Sequence, residues 1–475
     1  MKRAQLGMIG LGTMGRNFLL NVAEHGISGV GYDLDEVKRS LLIAESEGMD
    51  VSAAEDILSL IDSLEKPRRI MLLVPAGPIV DAVIHDLLPS LDSGDMVIDG
   101  GNSHFLDTER RESALAEKGI EFLGVGVSGG EEGARHGASI MVGGNPEVYE
   151  HVRPIFEAAS AKVNGEPCAA HVGSGSAGHF VKMVHNGIEY GMMQLIAETY
   201  DLLRRGYEMS GDEAAAVFDN WNEGELNSFL IEITATILKK RDLKTEQPLV
   251  DLILDTAGQK GTGKWTSQAA LDMGVPVPTI DAAVAMRQIS AWKTERVAAA
   301  QRLNIAFPLT MDPALRADTI ESLRDALFVA FLVTYAQGLS LLTAASAEKN
   351  YGVDLSDIAK IWRGGCIIRA ALLEQIRLAY TANPSLHNLL LADEFSPQIK
   401  QKQSQLKSAV FYAMSCDIPC MALGSSVNYL KAFASERLPA NLIQAQRDFF
   451  GAHTYMRTDA EGTFHTPDWE ISTSA

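Results

Sequence analysis

The chain has 475 residues, a formal net charge of −20 and 46% hydrophobic residues, so it is long enough for two or three domains with substantial cores. This negative charge argues against nucleic acid or an anionic membrane as a partner, because both would repel the protein at long range. An anionic substrate would therefore need a site that carries its own cations. The four cysteines, Cys168, Cys366, Cys416 and Cys420, lack metal-ligand spacing, and we interpret them as reduced structural residues.

Two segments bear on where the protein is located. Lys2-Arg3 runs directly into a strand-like segment with no separate apolar core or cleavage site, which predicts a cytoplasmic protein. Residues 326–347 carry no charge and imitate a membrane span, but they include Thr334 and Gln337. We therefore predict a buried core helix there instead of a transmembrane helix.

The first motif is a glycine turn near the N-terminus. An apolar run, Leu6 to Ile9, leads into Gly10, Gly12 and Gly15 with the spacing G-x-G-x-x-G, and a helix-like run follows. Glycines so placed let the backbone approach a pyrophosphate, which binds the unpaired N–H groups of the helix N-terminus. We predict a Rossmann-type cofactor loop; the alternative is a structural βα turn. The predicted cofactor-binding residues of the loop are Gly10, Leu11, Gly12, Thr13, Met14 and Gly15.

The next strand-like run ends at Asp33, where a Rossmann fold places the residue that contacts the ribose. A carboxylate there accepts hydrogen bonds from the ribose hydroxyls of NAD and repels the 2′-phosphate of NADP. Leu34 and Asp35 add no cation, whereas Lys38 and Arg39 follow one turn later and would weaken that rejection. We predict that NAD is preferred and that NADP is the less favoured cofactor.

Strand and helix signals continue to alternate through residues 69–74, 96–99 and 121–127, the pattern of a doubly wound parallel sheet. Two loops rich in glycine and small polar residues, 99–104 and 128–135, follow the last two of these strands. Ligands bind at the carboxyl edge of such sheets, and small amide-rich loops suit recognition of hydroxyl and carboxylate groups. The sequence therefore predicts a ligand site where these loops meet.

One helix carries a row of polar side chains, which we call the polar seam. Residues 180–190 are apolar except at positions i, i+3, i+4, i+7 and i+8, which share one helical face. The seam residues are Lys182, His185, Asn186, Glu189 and Tyr190. Apolar flanks favour burial over the alternative, a solvated amphipathic face. Burial lowers the pKa of a lysine and raises that of a carboxylic acid, so Lys182 is the candidate base and Glu189 the candidate acid.

A glycine-rich loop at residues 255–265 carries Lys260, Thr262 and Lys264. In an acidic protein, ammonium, hydroxyl and backbone N–H groups in one loop favour a phosphate clamp, although the loop is not a Walker motif. Arg287 is a candidate second cation. A surface loop is the alternative interpretation.

We predict an α/β Rossmann-type N-terminal domain followed by a large all-α domain with an internal helical repeat and a C-terminal tail. The predicted boundaries are 1–177 for the dinucleotide-binding domain, 178–436 for the all-helical substrate domain and 437–475 for the tail. The repeat is weak and relates residues 209–218 to residues 353–362. Aromatic and cationic residues in the tail favour docking over disorder.

Over nearly its whole length the chain resembles the decarboxylating 6-phosphogluconate dehydrogenases. The motifs that carry the resemblance are Asp99 to Ser103, Val127 to Arg135, Phe180 to Gly191, Asp255 to Trp265 and Leu438 to Tyr455. It implies oxidation of the carbon-3 hydroxyl of 6-phosphogluconate, loss of the carboxylate as carbon dioxide and protonation of an enediol to ribulose 5-phosphate, a step of the pentose phosphate pathway. Lys182 would be the base and Glu189 the proton donor. No metal is implied, because the β-keto acid is its own electron sink.

The resemblance also implies the binding residues and the assembly. The implied contacts to the sugar acid are Asn102, Ser128, Gly129, Gly130, His185 and Asn186, and those to its phosphate are Tyr190, Lys260, Thr262, Arg287, Arg447 and His453. Val74, Ala76 and Asn102 would contact the cofactor. In the family the phosphate contacts that match Arg447 and His453 come from the neighbouring subunit's tail, so a homodimer with shared active sites is implied.

Three departures from the family pattern stand out. The family's Asn-Arg-Thr at the NADP-reading strand end is Asp33-Leu34-Asp35 here, which strengthens the prediction of NAD. The family's Val-Lys-Ala-Gly is Val74-Pro75-Ala76-Gly77, which removes another cation. The aspartate that commonly follows Tyr-Gly is Met192, and the sequence offers no physical account of that change.

Two other functions compete with this interpretation. A non-decarboxylating β-hydroxyacid dehydrogenase would share the glycine turn, the Ser-Gly-Gly loop and a lysine on the seam helix. It would lack a proton donor at Glu189, the lysine-bearing loop 255–265 and the tail at residues 437–475. A catalytically silent dinucleotide-binding sensor would need neither Lys182 nor Glu189.

Overall fold

The computed structural model describes residues 3–304 and 316–469, except for the side chains of residues 316–318. The chain forms two compact units, Met1–Ser426 and Val427–Ala475. The first unit begins with an α/β region and continues with helices. This arrangement confirms the predicted fold class.

The strands of the α/β region are β1 Leu6–Ile9, β2 Gly29–Tyr32, β3 Val51–Ala53, β4 Arg69–Leu72, β5 Met96–Asp99, β6 Glu121–Ser128, β7 Ser139–Gly144, β8 Lys162–Val163, β9 Glu166–Pro167 and β10 Ala169–Gly173. Eight of them form one sheet in the order β10-β7-β6-β5-β4-β1-β2-β3, and β8 pairs with β9 as a separate hairpin. Only the β6–β7 pair of the large sheet is antiparallel. The strand order reverses between β1 and β4, and such switch points hold dinucleotides in doubly wound sheets.

The helices of this region cover both faces of the sheet. They are α1 Thr13–Glu24, α2 Glu36–Glu45, α3 Ile57–Asp62, α4 Pro78–Leu87, α5 Phe105–Ala116, α6 Gly130–His136, α7 Pro146–Glu150 and α8 Arg153–Ala159. Successive residues of a strand enter different cores: Met8 packs with Phe18 and Phe156 on one side, and Ile9 packs with Ile70 on the other. Burial on both faces explains why the strands read as continuous apolar runs.

The helical region of the first unit comprises α9 Ala177–Asp201, α10 Gly211–Asn222, α11 Phe229–Lys239, α12 Leu249–Leu252, α13 Thr262–Asp272, α14 Pro278–Ala291, α15 Lys293–Leu303, α16 Arg316–Lys349, α17 Leu355–Trp362, α18 Leu372–Ala382 and α19 Ser396–Ser415. The next helix, α20 Met421–Phe433, begins in the first unit and ends in the second. A π-helical turn, Leu202–Gly206, follows α9. The two predicted repeat segments begin helices in the same way. Ser210 caps the N-terminus of α10 and Asp354 caps that of α17.

The uncharged segment 326–347 lies within α16. By length and composition, residues Thr319–Lys349 are the single described helix long and apolar enough to cross a membrane, and 89% of its most apolar window is buried inside the protein. The prediction of a core helix is therefore confirmed.

Helix α9 carries the polar seam, and glycines let its neighbours pack closely against it. A Cβ added at Gly126 of β6 would lie 2.4 Å from Lys182 Cβ. A Cβ at Gly187 of α9 would lie 2.5 Å from the Thr266 side chain of α13. Helix α9 is thus held directly against the sheet and against α13.

A buried carboxylate joins α9 to the start of α20. Glu198 is 3% exposed and accepts hydrogen bonds from the backbone N–H groups of Ala422 and Leu423, both at 2.9 Å, and from the Gln194 side chain at 3.0 Å. Burial raises the pKa of Glu198 to about 7, although the same N–H groups oppose the rise. Glu198 therefore satisfies backbone donors that would otherwise be unpaired at the N-terminus of α20.

We expect Glu198→Ala to lower the free energy of unfolding by about 2 kcal/mol, because it leaves buried N–H groups without an acceptor. Glu198→Gln keeps an acceptor oxygen and is expected to cost less. Thermal unfolding of both variants measures the difference. The raised pKa of Glu198 means that its contribution to stability decreases as pH rises through about 7, and neither variant should retain this component. Equal midpoints for the native protein and Glu198→Ala would contradict the capping role.

The second unit contains α21 Ala440–Gly451 and an antiparallel pair, β11 Tyr455–Met456 and β12 Thr463–Phe464. Its large apolar side chains are mostly exposed: Leu442, Ile443, Phe449, Phe450 and Met456 are each at least 60% exposed. Within residues 431–469 the one buried residue is Asp448. This unit is organised around a carboxylate and leaves an apolar surface uncovered.

Candidate active site

The glycine turn lies between β1 and α1, beside the switch point of the sheet. A Cβ at Gly10 would lie 2.5 Å from the Leu73 carbonyl oxygen, and a Cβ at Gly15 would lie 1.9 Å from that of Gly10, so neither position accepts a side chain. A Cβ at Gly12 would meet open space. Helix α1 begins there without a side-chain cap, which leaves its N–H groups available. These features fit a bound pyrophosphate.

Asp33 follows β2 and is tied to the glycine turn. Its carboxylate accepts hydrogen bonds from the N–H groups of Leu11 at 2.8 Å and Asp35 at 3.0 Å, and Lys38 Nζ lies 3.4 Å away. Burial alone would raise the pKa of Asp33, but these bonds and the Lys38 charge lower it. Arg39 donates to the Asp33 carbonyl at 2.6 Å. Both cations that were expected to soften the rejection of NADP are therefore engaged with Asp33.

Arg111 connects the two loops that follow β4 and β5. Its buried guanidinium donates to the Gly77 carbonyl at 2.9 Å, to Asp81 at 2.9 and 3.2 Å, and to Asp99 and Ser103 at 3.2 Å each. The first loop carries Val74 and Ala76, and the second carries Asn102. Arg111 therefore sets the spacing of the predicted cofactor contacts. The sequence alone did not single it out, because its partners lie on other elements.

Lys182 occupies the end of the polar seam nearest the sheet. Its side chain is 7% exposed, and no described residue forms a hydrogen bond with its ammonium group. Burial lowers the pKa of Lys182 to about 8, and the negative charge of Glu189 opposes this fall. A lysine with this pKa is partly neutral near neutral pH, as a general base requires.

The other seam residues are oriented by one another. His185 Nε2 lies 3.3 Å from Ser128 Oγ, and its Nδ1 lies 3.0 Å from Asn186 Oδ1. Burial, together with the charge of Lys182, lowers the pKa of His185 well below its ordinary value, so the ring is neutral. Burial raises the pKa of Glu189, which is partly opposed by the charges of Lys182 and Arg287. The predicted directions of both the lysine and the glutamate shifts agree with the structure.

Beyond Glu189 the seam ends at a cationic group. The Arg287 guanidinium lies over the Tyr190 ring, 3.5 Å from its centroid, and donates to the Gly258 carbonyl at 3.1 Å. Helix α13 begins at Thr262 without a side-chain cap, and the Asn186 amide donates to the Thr262 hydroxyl at 3.1 Å. A helix N-terminus beside an arginine suits a phosphate group.

The structure places the two lysines of loop 255–265, where a phosphate clamp was predicted, in different surroundings. Lys260 lines the cleft together with Arg287, whereas Lys264 is exposed on α13 and does not. Asp255 forms ion pairs with Lys293 and, at 3.0 Å, with Arg296, and these bonds lower its pKa to about 2. Asp255 is thus an anchor of the loop.

One cleft of about 1080 Å³ brings part of the predicted site together, and Lys182, His185, Ser128, Gly129 and Gly130 are not among its lining residues. The predicted site residues that line it are Met14, Val74, Ala76, Asn102, Asn186, Glu189, Tyr190, Lys260, Thr262 and Arg287. Pro75 and Trp265 also line the cleft. Gly129 and Gly130 lie at the start of α6, directly after Ser128, with φ angles of 115° and 61° that favour glycine.

Several residues around the site were missed by sequence reasoning. The Trp362 ring packs edge-on against His185, with centroids 5.5 Å apart. The carbonyl of Gly365 accepts a hydrogen bond from Ser139 N–H at 2.8 Å and would lie 2.5 Å from a Cβ on Gly129. The glycine pair at residues 364–365, directly after a helix, was the available signal. Met192 is buried and 2% exposed, which accounts for an apolar residue there but not for its replacement of an aspartate.

Arg447 and His453 lie in the second unit, and both are exposed. Arg447 donates to the Gln444 side chain at 3.0 Å, and His453 packs against Phe450 with ring centroids 6.0 Å apart. The four cysteines all lie among the described residues, where they are buried and form no disulfide bond. Among the described residues, no group of three or more His, Cys, Asp or Glu side chains is arranged to hold a metal ion.

The chain is similar to known proteins over its whole length. Residues 5–173 match the family model described as the NAD binding domain of 6-phosphogluconate dehydrogenase, and residues 178–469 match that of the 6-phosphogluconate dehydrogenase C-terminal domain. The chain is 50% identical to the NADP(+)-dependent, decarboxylating 6-phosphogluconate dehydrogenase of Bacillus subtilis, covering 99% of this chain and 100% of that one. It is 48% identical to the decarboxylating enzyme of Escherichia coli, with the same coverage.

A solved structure of similar shape is 6-phosphogluconate dehydrogenase from Plasmodium falciparum, described in its apo form and in complexes with its cofactor NADP+ and its substrate 6-phosphogluconate. The TM-score is 0.95 at 45% identity, covering 98% of this chain and 100% of that one. The resemblance inferred from the sequence motifs is confirmed by these matches. This chain belongs to the 6-phosphogluconate dehydrogenase family.

Proposed function

We propose that the protein catalyses oxidative decarboxylation of 6-phosphogluconate to ribulose 5-phosphate and carbon dioxide, with reduction of a nicotinamide cofactor, in the pentose phosphate pathway. The observation that carries the proposal is the polar seam. It combines a buried lysine whose pKa is about 8 with a carboxylic acid, Glu189, whose pKa is raised. Glu189 lines the cleft that also contains the cationic Lys260 and Arg287, and Lys182 lies two helical turns before Glu189 on the same face of α9. That arrangement suits a sugar acid that carries a phosphate.

The steps follow from the protonation states of these side chains. Neutral Lys182 takes the proton of the carbon-3 hydroxyl, and a nicotinamide cofactor bound at the glycine turn supplies the hydride acceptor. Protonated Lys182 then donates a hydrogen bond to the new ketone, which stabilises the charge that develops as carbon dioxide leaves. Glu189, whose pKa is raised by burial toward that of a proton donor, donates a proton to carbon 1 of the enediol. Neutral His185, Asn186 and Ser128 orient the sugar acid by hydrogen bonds.

Recognition of the phosphate is assigned to Tyr190, Lys260, Thr262 and Arg287, and contacts to the sugar acid also to Asn102, Gly129 and Gly130. Arg447 and His453 of the neighbouring subunit would complete the phosphate site in a homodimer. The exposed apolar side chains of the second unit support such docking, because contiguous apolar surface commonly marks an interface. The boundaries 1–177, 178–436 and 437–475 and a cytoplasmic location remain part of this proposal.

For the cofactor we propose that NAD is preferred over NADP. The support is the Asp33 carboxylate, which has a lowered pKa and is therefore charged at the point where a 2′-phosphate would sit. The Bacillus relative is named as NADP(+)-dependent, so the preference is tested directly. Initial rates with 6-phosphogluconate are measured with NAD and with NADP, following reduced cofactor and carbon dioxide together. Equal yields of both products are expected, with a higher rate for NAD; reduced cofactor without carbon dioxide would indicate a simple β-hydroxyacid dehydrogenase.

We expect Glu189→Gln to reduce kcat by about 100-fold, because the amide keeps the shape of the side chain but cannot donate the proton to carbon 1. Solvent deuterium exchange at carbon 1 of the product, followed by NMR, reports that step directly. His185→Asn is the matched control, since His185 orients the substrate without donating this proton, and it should raise KM more than it lowers kcat. A Glu189→Gln enzyme with native kcat would remove Glu189 from the mechanism.

A further inference from the structure

The second unit is built around the Asp448 carboxylate. Oδ1 accepts hydrogen bonds from Thr454 N–H and His465 Nδ1, both at 2.9 Å, and Oδ2 accepts from Thr466 N–H at 3.0 Å and Trp469 Nε1 at 3.1 Å. Asp448 itself is 1% exposed. Burial alone would raise the pKa of this carboxyl, but the four donors lower it to about 2. The chain from α21 to residue 469 is therefore folded back onto one charged group.

The backbone beside this group is strained. Ala452 and Thr454, on either side of His453, have φ angles of 49° and 59°, in the left-handed region. A β-branched residue such as threonine rarely adopts that conformation. Such residues persist where the surrounding structure holds them, and they are concentrated at functional sites. Here the hold on Thr454 is explicit, because Asp448 accepts its N–H and the Gln444 side chain donates to its carbonyl.

Arg447 is connected to the same arrangement. The Gln444 amide that donates to the Thr454 carbonyl accepts, through Oε1, a hydrogen bond from Arg447 at 3.0 Å. Arg447 immediately precedes Asp448, and His453 immediately precedes Thr454. Arg447 and His453, whose side chains are both exposed, are thus the chain neighbours of the two residues that the Asp448–Thr454 hydrogen bond joins.

We propose that Asp448 is a positioning residue that presents Arg447 and His453 as a preformed pair to the substrate phosphate in the partner subunit's site. The proposal rests on the proposed function of the tail. Its physical basis is preorganisation: ordering a loop and a flexible arginine before binding removes that entropic cost from the binding step. A carboxylate suits this role because it accepts four donors from four different residues at once.

The test is steady-state kinetics of the full-length homodimer carrying Asp448→Asn. The amide can still accept at one oxygen, but its NH2 group faces two of the donors. We expect the KM for 6-phosphogluconate to rise about tenfold, with the cofactor KM and the dimer mass unchanged. Adding Thr454→Gly to Asp448→Asn should recover part of the KM, because glycine adopts the left-handed backbone without needing the carboxylate.

Two further variants distinguish a failure of the proposed function of the tail from a failure of the positioning role of Asp448. Arg447→Ala tests the proposed function of the tail: an unchanged KM would overturn that function and this proposal with it. If Arg447→Ala raises KM while Asp448→Asn does not, only the positioning role of Asp448 is overturned. Should Asp448→Asn fail to fold or dimerise, Trp469→Phe decides the matter, because it removes one donor and keeps an aromatic ring. A KM about threefold higher is then expected, and a native KM would overturn the positioning role.

Discussion

Replacing Lys182 with methionine is expected to lower kcat by about 10³-fold or more, because general bases commonly contribute 10²–10⁴-fold to a rate and this lysine is proposed to serve two steps. Methionine fills the space of the buried stem without a titratable group. Cofactor binding should be retained, since the glycine turn and Asp33 are untouched, and fluorescence titration with NAD measures it. The variant should be at least as stable to heat as the native protein, because a buried ammonium group is costly to keep in the fold.

Lys182→Arg is the matched control, since arginine keeps the positive charge but does not lose its proton at accessible pH. Equal inactivity of the two variants would show that proton removal is required, and substantial activity of Lys182→Arg would contradict the assignment of the base. The native enzyme provides a further check. Because the neutral amine is the active form, log kcat/KM should rise with pH and level off above about 8.

Exchanging residues 33–35, which are predicted to read the cofactor, is expected to raise the ratio of kcat/KM for NADP to kcat/KM for NAD by about 10³-fold. The variant Asp33→Asn, Leu34→Arg, Asp35→Thr removes a like charge facing the 2′-phosphate, whose repulsion costs several kcal/mol, and adds a cation for it. The fold should tolerate the change. Asn keeps an acceptor oxygen for one of the two N–H groups that Asp33 binds, Leu34 is 88% exposed, and threonine can replace Asp35 as the cap of α2.

Leu34→Arg alone separates the two effects, because it supplies the cation while the Asp33 carboxylate remains. It should improve NADP use by a small factor only, since the repulsive carboxylate is still present. If the native enzyme prefers NADP and the triple variant does not change the ratio, then Lys38 must leave Asp33 to hold the 2′-phosphate. Lys38→Met would in that case abolish NADP use.

The sequence was most informative where a local pattern has a direct physical meaning. Helical spacing placed five polar residues on one face of α9, and their apolar flanks implied the burial that raises the pKa of Glu189 and lowers that of Lys182. The glycine spacing predicted a cofactor loop because glycines let the backbone approach a pyrophosphate, and in the structure two of those glycines leave no room for a Cβ. Conversely, the composition of loop 255–265 did not distinguish Lys260 from Lys264, and only the family resemblance singled out Lys260. In the structure Lys260 precedes α13 and lines the cleft, whereas Lys264 is exposed in the first turn of α13, and composition does not record such a difference.

The sequence by itself thus determined four features: the alternation of strands and helices, the glycine turn, the polar seam and the family motifs. Each of them is a relation between residues that are close together in the chain. The tertiary structure alone decided which distant groups meet. It placed Arg287 over Tyr190, packed Trp362 against His185 and joined two cofactor loops through Arg111. It also gathered four donors around Asp448. Such contacts depend on chain folding between elements that are far apart in the chain, and no local periodicity encodes them.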